Sequence, residues 1–299
     1  MRLSIGPISY FWQRDDVLAF YEEAGEGPAE IVYLGEIVCS KRRLVKPEDW
    51  LAIGRDLSAA GKQVVLSSLT LLEAASEMGA LKKLCGNGEF MVEANDIAAV
   101  QLLSDAGTPF VVGPAVNIYN HRSMCLLAGK GMRRWVLPVE LGLNDLRDLQ
   151  AARPADLETE VFAFGRLPLA WSARCYTARS YNLPKDDCRF KCLEYPDGRL
   201  LKTRENEDFL VLNGIQTQSA LTHQALLQVD ALEALDVDIL RLSPQSRHWP
   251  EIVSIFDRAR HGADAQELAE ELCGLLPTGP CNGFLLARPG LDHADSHLA

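Results

Sequence analysis

Four of the eight cysteines in this chain are spaced in a way that suits one shared metal site. Cys39 stands alone near the N-terminus, whereas Cys175, Cys188 and Cys192 are separated by only twelve and three residues. Four thiolates that converge in a folded chain can bind a tetrahedral zinc ion or an iron–sulfur cluster. The sequence therefore predicts a thiolate-rich metal centre, and the function depends on the metal that it holds.

The spacing favours an iron–sulfur cluster, while zinc and a basic loop without metal remain alternatives. Structural zinc sites usually carry two C-x₂₋₄-C pairs, and among the four only Cys188 and Cys192 are so close. A cluster is larger than one ion and accepts scattered ligands. Cations also flank the four cysteines, and cations stabilise thiolates. They are Lys41, Arg42, Arg43, Arg174, Arg179, Lys185, Arg189 and Lys191.

Alternating strands and helices must bring these cysteines together. Eight β-rich runs are predicted, and the first seven recur about every 20 to 34 residues, as in βα units. The pattern predicts an α/β fold like a (β/α)₈ barrel, with a doubly wound sheet as the alternative. No G-x-G-x-x-G follows a strand, so a dinucleotide-binding sheet has no support. The predicted strands are Arg2–Ile8, Ala29–Glu36, Gln63–Ser68, Glu89–Ala94, Phe110–Val116, Arg133–Val139, Glu160–Gly165 and Asp236–Leu242.

A long insertion separates the seventh and eighth predicted strands. It covers about residues 170–218 and carries three of the four cysteines. The turn residues Pro196-Asp197-Gly198 predict a hairpin between Leu193–Tyr195 and Arg199–Leu201. We therefore expect one barrel-like domain over residues 1–284, with residues 285–299 as a tail.

The carboxyl ends of the strands carry further polar residues. Cys39 follows the second strand and Cys175 the seventh, so a parallel barrel places both on the rim where barrel enzymes keep their active sites. Carboxylates and amides on that rim are candidates for orienting a substrate or for acid–base work, although pairing with Arg or Lys is the more common role. The candidates are Glu36, Glu93, Asn117 and Glu140.

Composition excludes several classes of protein. The formal charge of −11 and the pI of about 5.1 argue against nucleic acid as a partner. No run of 18 apolar residues predicts a membrane span. The N-terminal segment is broken by Gly6 and Pro7 and does not read as a signal peptide. A cytoplasmic, reducing location is therefore expected, in which cysteines are ligands or thiols rather than disulfides.

Six segments carry a family resemblance. They are Y-L-G-E-I-V-C-S-K-R-R (33–43), G-E-F-M-V-E-A-N-D (88–96), R-L-P-L-A-W-S-A-R-C-Y-T-A-R (166–179), P-K-D-D-C (184–188), F-L-V-L-N-G-I-Q-T (209–217) and R-L-S-P-Q (241–245). In these segments the chain resembles iron–sulfur members of the family named for collagenase-like peptidases. The resemblance runs from residue 1 to about residue 284.

The resemblance implies a specific activity and a specific ligand set. It implies a [4Fe–4S] cluster on Cys39, Cys175, Cys188 and Cys192, and a heterodimer with a UbiU-like homologous subunit. It also implies oxygen-independent hydroxylation steps of ubiquinone biosynthesis under anaerobic conditions, with a quinone precursor as a possible substrate. A scaffold or electron-relay role within that complex is the alternative. A peptidase has less support, because the sequence has neither H-E-x-x-H nor G-x-S-x-G.

Overall fold

Short apolar runs rich in Val, Ile and Leu form the strands, as expected for strands that are buried on both faces. The computed structural model describes residues 1–294. Its strands are β1 (Arg2–Ile5), β2 (Ile31–Leu34), β3 (Gln63–Ser67), β4 (Met91–Ala94), β5 (Phe110–Val112), β6 (Met132–Val136), β7 (Glu158–Trp171), β8 (Arg199–Lys202), β9 (Asp208–Asn213), β10 (Gln216–Gln224), β11 (Ile239–Leu242) and β12 (Pro280–Cys281).

Helices fill the connections between most barrel strands. Several begin with clear start signals. Pro47 occupies the first turn of the helix that it begins, and the Asp96 side chain caps the helix that begins at Ile97. The helices are α1 (Arg14–Glu26), α2 (Pro47–Ala59), α3 (Ala75–Cys85), α4 (Ile97–Asp105), α5 (His121–Ala128), α6 (Leu143–Ala151), α7 (Tyr176–Arg179), α8 (Val229–Ala234), α9 (Trp249–Arg260) and α10 (Ala265–Cys273). Among the described residues, no helix combines the length and apolar character needed to cross a bilayer.

Eight of the strands close into a parallel barrel. Strands β1 to β7 pair in sequence order, and β11 pairs in parallel with both β7 and β1. The predicted barrel is therefore confirmed, and the doubly wound alternative is wrong, because an open sheet would leave β1 and β7 as edges. All eight predicted strands are present, although most end earlier than their apolar runs suggested.

Side-chain alternation separates two cores. On β2, Val32 and Leu34 pack toward the helices, whereas Ile31 and Tyr33 belong to a smaller cluster with strand residues only. That smaller cluster lies inside the barrel. Buried polar side chains share the interior: the Tyr33 hydroxyl and the Ser4 hydroxyl (2.5 Å) both donate to Glu160. Apolar and polar side chains thus share the barrel interior, and the polar ones include the buried Arg134, which bonds Gln63 and Glu158 at the start of β3 and β7.

The insertion forms a small antiparallel sheet on the barrel rim. The second half of β7 continues past the barrel and pairs with β10, which pairs with β9, which pairs with β8. The predicted hairpin around Pro196-Asp197-Gly198 is wrong. Residues Lys191–Glu194 form a short 3₁₀ helix, and Arg199–Lys202 pairs instead with Asp208–Asn213. The chain reverses its direction further along, between Arg199–Lys202 and Asp208–Asn213, where Asn206 adopts the left-handed conformation with φ of 69°.

The C-terminal part packs against the barrel as far as it is described. β12 pairs in parallel with β10, and the Asn282 side chain exchanges two hydrogen bonds with the backbone of Ala294 (2.9 and 3.0 Å). Leu285, Leu286 and Ala294 are buried in the main core. The last residues of the predicted tail, 295–299, lie outside the described part of the chain.

Candidate functional site

The four predicted cysteine ligands come from three places on the carboxyl rim of the barrel. Cys39 lies in the loop after β2, Cys175 precedes α7, and Cys188 and Cys192 lie in the turns that follow α7. All four are half-buried thiols. Cys175 interacts electrostatically with both Cys39 and Cys192, and Cys192 also with Cys188. The fold therefore brings residues that are far apart in sequence to one location.

A partly buried carboxylate, that of Glu36, shapes the loop that carries Cys39. Glu36 Oε1 accepts hydrogen bonds from the backbone N–H groups of Val38 (2.8 Å) and Cys39 (2.9 Å). Burial raises the pKa of Glu36, and the nearby Arg42 opposes that shift. Glu36 thus has a positioning role here.

The turn between β9 and β10 holds the segment around Cys175. The backbone N–H of Tyr176 donates to the Gly214 carbonyl (2.7 Å), and the Gly214 N–H donates to Thr177 Oγ1 (2.9 Å). The Ala178 N–H points at Cys175 Sγ, at 3.4 Å. The thiol of Cys175 is therefore oriented by the local backbone.

The three residues between Cys188 and Cys192 form a tight reversal. Arg189 and Phe190 both adopt the left-handed conformation, with φ of 50° and 48°. Two successive non-glycine residues in that region are uncommon, and such local strain is concentrated at functional sites. The Phe190 ring lies 5.8 Å from that of Phe11, between ring centroids. This reversal sets the positions of the two thiols.

Arg42 is the buried cation among the cysteines. It is 5% exposed, and it donates to the Ser9 carbonyl (2.8 Å) and to Asn213 Oδ1 (2.7 Å). Its Nη1 also lies 3.6 Å from Glu36 Oε1. Burial raises the pKa of the Cys192 thiol, and the charge and hydrogen bond of Arg42 oppose that effect. Arg42 therefore favours negative charge at this position.

Four of the other flanking cations form ion pairs with carboxylates. Lys41 Nζ bonds the Lys185 carbonyl and Asp186 Oδ1, both at 2.9 Å, and Lys185 pairs with Glu73. These contacts connect the Cys39 loop to the segment before Cys188. Arg189 and Lys191 pair with Asp187 (3.7 Å) and Glu194 (2.5 Å). The basic residues thus fasten the loops together as well as supplying positive charge.

The four predicted ligands are all thiols, a donor chemistry that suits a zinc ion or an iron–sulfur cluster. Within residues 1–294, no three His, Cys, Asp or Glu side chains are grouped as ligands of one metal ion. A tetrahedral zinc with Zn–S bonds of about 2.3 Å needs sulfurs about 3.8 Å apart. In a four-iron cluster each cysteine binds a different iron, so the sulfurs stand further apart. In donor chemistry, four thiols beside the buried guanidinium of Arg42 fit such a cluster.

A second feature of the rim is a large cavity at the mouth of the barrel. Its volume is about 420 Å³, which suits a small organic ligand. Two of its lining residues, Ile37 and Trp171, precede Cys39 and Cys175 in the chain by two and four residues. Its polar lining consists of Ser9, Thr70, Glu93, Asn95, Asn117, Tyr119, Glu140, Arg166, Gln216, Gln218, Arg241 and Ser243.

Three of the four predicted rim residues line this cavity. Glu93 is buried and accepts hydrogen bonds from Arg241 Nη1 and from Ser67 Oγ, both at 2.7 Å. Asn117 has a left-handed backbone with φ of 61°. Glu140 accepts from the Tyr119 hydroxyl (3.1 Å) at the exposed edge. The fourth, Glu36, does not belong to this lining and contacts the Cys39 loop.

Sequence reasoning missed the buried arginine at the floor of the cavity. Arg241 Nε bonds Glu160 Oε1 (2.7 Å), and its guanidinium lies 4.1 Å from the Tyr33 ring centroid. Burial lowers the pKa of Arg241, but Glu160 and Glu93 outweigh that effect and raise it overall. The available signal was a charged residue inside the buried strand I-L-R-L. A charge there requires a buried partner.

Comparisons with known proteins identify the family. Solved structures with a similar fold include the U32 peptidase Mk0906. It matches at 10% identity and a TM-score of 0.46, and the match covers 82% of this chain and 93% of that one. Tryptophan synthase from Pyrococcus furiosus matches at 11% identity and a TM-score of 0.42, covering 92% and 98%. At these identities the likeness concerns the fold alone. The sequence, however, matches the profile of Peptidase family U32 over residues 18–295, and the chain therefore belongs to that family.

Proposed function

We propose that this chain is a UbiV-like protein that holds a [4Fe–4S] cluster on Cys39, Cys175, Cys188 and Cys192. In this proposal it acts in the cytoplasm with a UbiU-like homologous subunit, in oxygen-independent hydroxylation steps of ubiquinone biosynthesis. The observation that supports it most is the convergence of four half-buried thiols from distant segments beside the buried Arg42. The resemblance in the six sequence segments supplies the pathway.

The chemistry of such a site follows from its ligands. A four-cysteine cluster transfers single electrons and leaves no iron open to substrate. Arg42 would offset the negative charge of the thiolates, and the Ala178 N–H would donate to the sulfur of Cys175. Because dioxygen takes no part, the hydroxyl oxygen must come from water or from an organic donor. The neighbouring cavity, rather than the iron, would then bind a substrate.

A non-catalytic role is the second candidate for the cluster. Hydrogen bonds of Lys41 and Arg42 already tie the Cys39 loop to the insertion. A cluster on the same segments would strengthen that connection, and the chain would then serve its partner as a scaffold or an electron relay. Proteolysis is a weaker candidate. A thiolate that binds iron is not available as a nucleophile, and the sequence lacks the common hydrolase motifs.

Anaerobic co-purification with the homologous subunit tests the proposal. We expect the two chains to elute together and to restore anaerobic ubiquinone synthesis in cells that lack this chain. Cys175→Ala should abolish that restoration, whereas Cys125→Ala, which changes an exposed helix cysteine, should not. Restoration by Cys175→Ala at normal protein level would refute the proposal. A Glu140→Ala variant that keeps its iron but fails to restore synthesis would favour substrate chemistry in this chain over a scaffold role.

A further inference from the structure

Two large apolar side chains stay exposed beside the predicted cysteine ligands. Leu44 is 38% exposed and follows Cys39 by five residues. Phe190 is 43% exposed and lies in the short segment between Cys188 and Cys192. Single exposed apolar residues are common on protein surfaces, so these two indicate a function only if they form one surface.

The ring of Phe11 lies near both of them. Its centroid is 5.8 Å from that of Phe190, and Phe11 and Leu44 line one small pocket at the barrel rim. Arg42, whose guanidinium lies 5.6 Å from the Phe11 centroid, lines the same pocket. Leu44 and Phe190 therefore belong to one exposed apolar surface, next to the buried cation of the cysteine site.

Exposed cations flank this apolar surface. Arg43 precedes Leu44, is exposed and forms no ion pair within residues 1–294, and its Nε donates to a backbone carbonyl of its own loop (2.9 Å). Arg189 precedes Phe190, and its side chain is 67% exposed. The carboxylate nearest to Arg189 is that of Asp187, which lies 3.7 Å away and is also open to solvent. We call Arg43, Leu44, Arg189 and Phe190 the Leu44–Phe190 patch.

The patch is basic although the chain is acidic. The whole chain contains 30 Lys and Arg residues against 41 Asp and Glu residues. Segments 39–46 and 188–192, which carry the patch, together contain six basic residues and no acidic one. Four carboxylates of neighbouring segments offset part of this charge, those of Glu36, Asp186, Asp187 and Glu194. Charge complementarity at such a surface selects a partner with acidic side chains.

The backbone holds the Phe190 ring at the surface. Arg189 and Phe190 adopt the left-handed conformation in succession, with φ of 50° and 48°. That conformation is unfavourable for residues other than glycine, and burial of an aromatic ring would be favourable. An exposed ring on strained backbone is therefore retained at a cost in stability, which indicates a contact with another molecule.

We propose that the Leu44–Phe190 patch is the docking surface of an acidic protein that donates single electrons to the cluster. The inference rests on the proposed function, because the cluster is the electron acceptor. Aromatic and Arg side chains are the types enriched at protein interfaces. A lipid surface would also suit a basic apolar patch, but it would leave unexplained why Phe190 lies between two of the ligands.

Electron transfer at this surface needs no chemistry beyond the transfer itself. The reduced donor loses one electron and the cluster gains it, while no bond forms or breaks and no proton or leaving group moves. Phe190 is two residues from both Cys188 and Cys192, so a donor that contacts it docks beside two of the four ligands. Complexes of electron-transfer proteins have small interfaces in which charge matters, so we expect weak and salt-sensitive binding.

Titration of the full-length, anaerobically purified chain with acidic electron carriers tests the docking surface. The probes are a bacterial flavodoxin and a bacterial [2Fe–2S] ferredoxin, both with net negative charge. Calorimetry with the oxidised probes measures binding, and stopped-flow absorption with the reduced probes measures cluster reduction. We expect at least one probe to bind, with an affinity that falls about tenfold or more between about 0.05 M and 0.5 M salt. No binding of either probe would overturn the proposal.

Variants of the patch that are not adjacent to a ligand assign the contact. Arg43→Glu should weaken binding of the probe about tenfold and slow cluster reduction at subsaturating probe by a similar factor. Its matched control is Arg204→Glu, which reverses an exposed charge between β8 and β9 and should change neither quantity. Leu44→Ala should weaken binding about fivefold, whereas Leu126→Ala, at a position that is 62% exposed on α5, should not. Equal effects within either pair of variants would refute the assignment.

Iron content separates this inference from the proposed function. If the wild-type chain carries iron and is reduced no faster than Arg43→Glu, the docking surface is wrong and the proposed function stands. A chain without iron refutes both.

Two other occupants of the patch have their own signatures. Vesicles of phosphatidylglycerol that bind the wild-type chain but not Arg43→Glu, with no binding of the probes, would make the patch a membrane contact. Loss of co-purification with the homologous subunit in Leu44→Ala would make it the subunit interface. Either result refutes docking of an electron donor here.

Discussion

The Arg42 guanidinium donates a 2.7 Å hydrogen bond to Asn213 Oδ1, and this contact joins the Cys39 loop to the end of the insertion sheet. Asn213 Nδ2 donates in turn to the Ser9 carbonyl, at 2.8 Å, which also accepts from Arg42. Three rim segments thus meet at one buried guanidinium. The relative positions of Cys39 and the three insertion cysteines depend on this junction.

Replacing Arg42 should therefore disturb both stability and iron content. Arg42→Gln removes the buried hydrogen bonds to Ser9 and Asn213 and leaves the partly buried Glu36 without its cation, which should cost about 2 kcal/mol or more. We expect a free energy of unfolding lower by that amount in urea titrations, together with less iron per chain after anaerobic purification. The control is Arg43→Gln, an exposed neighbour that should change stability by less than about 0.5 kcal/mol. Equal effects of the two variants would contradict the assignment of Arg42.

Gly165 allows β7 to continue from the barrel into the insertion sheet. Its φ is +126°, and an added Cβ would lie 2.5 Å from Ser243 Cβ. Gly165→Ala should therefore destabilise the chain by more than about 2 kcal/mol in urea unfolding. Gly79→Ala provides the contrast, because Gly79 is exposed within α3 and a Cβ there meets nothing within 4 Å. That variant should be unchanged or more stable by up to about 1 kcal/mol. If Gly165→Ala left the free energy of unfolding unchanged, β7 would tolerate a different backbone conformation and this account of Gly165 would be wrong.

Burial of His223 on β10 makes stability depend on pH. Burial lowers the pKa of His223 from 6.5 to about 4. The unfolded chain therefore takes up a proton below pH 6.5 that the folded chain does not, so stability falls as the pH drops from about 6.5 to about 4. The loss is about 3 kcal/mol over that window.

Urea unfolding at pH 7, 5.5 and 4.5 measures this dependence. His223→Leu should remove that part of the pH dependence, whatever its effect at pH 7. The control is Thr222→Val, a buried neighbour on β10 that does not titrate, which should leave the slope unchanged. A pH profile of His223→Leu that parallels the wild-type profile would contradict the account.

The sequence pattern predicts the barrel because buried parallel strands are local apolar runs, and their spacing reports the helices between them. The convergence of Cys39 with Cys175 follows from the same reasoning, since parallel strands end on one rim. The presence of Arg241 and Gln218 in one cavity lining could not be predicted, because it depends on how the insertion sheet folds over the barrel mouth. The hairpin prediction failed for a related reason: Pro196-Asp197-Gly198 has good turn chemistry, but Asn206 supplies the reversal that pairs two longer strands.

The iron and sulfide content of the anaerobically purified chain tests the central claim most directly. The account predicts a brown protein with absorption near 400 nm and about four iron and four sulfide per chain. Cys175→Ala should lose the colour and most of the iron, whereas Cys125→Ala should keep both. A colourless wild-type chain that carries zinc, or equal iron content in the two variants, would contradict the claim that Cys39, Cys175, Cys188 and Cys192 hold a four-iron cluster.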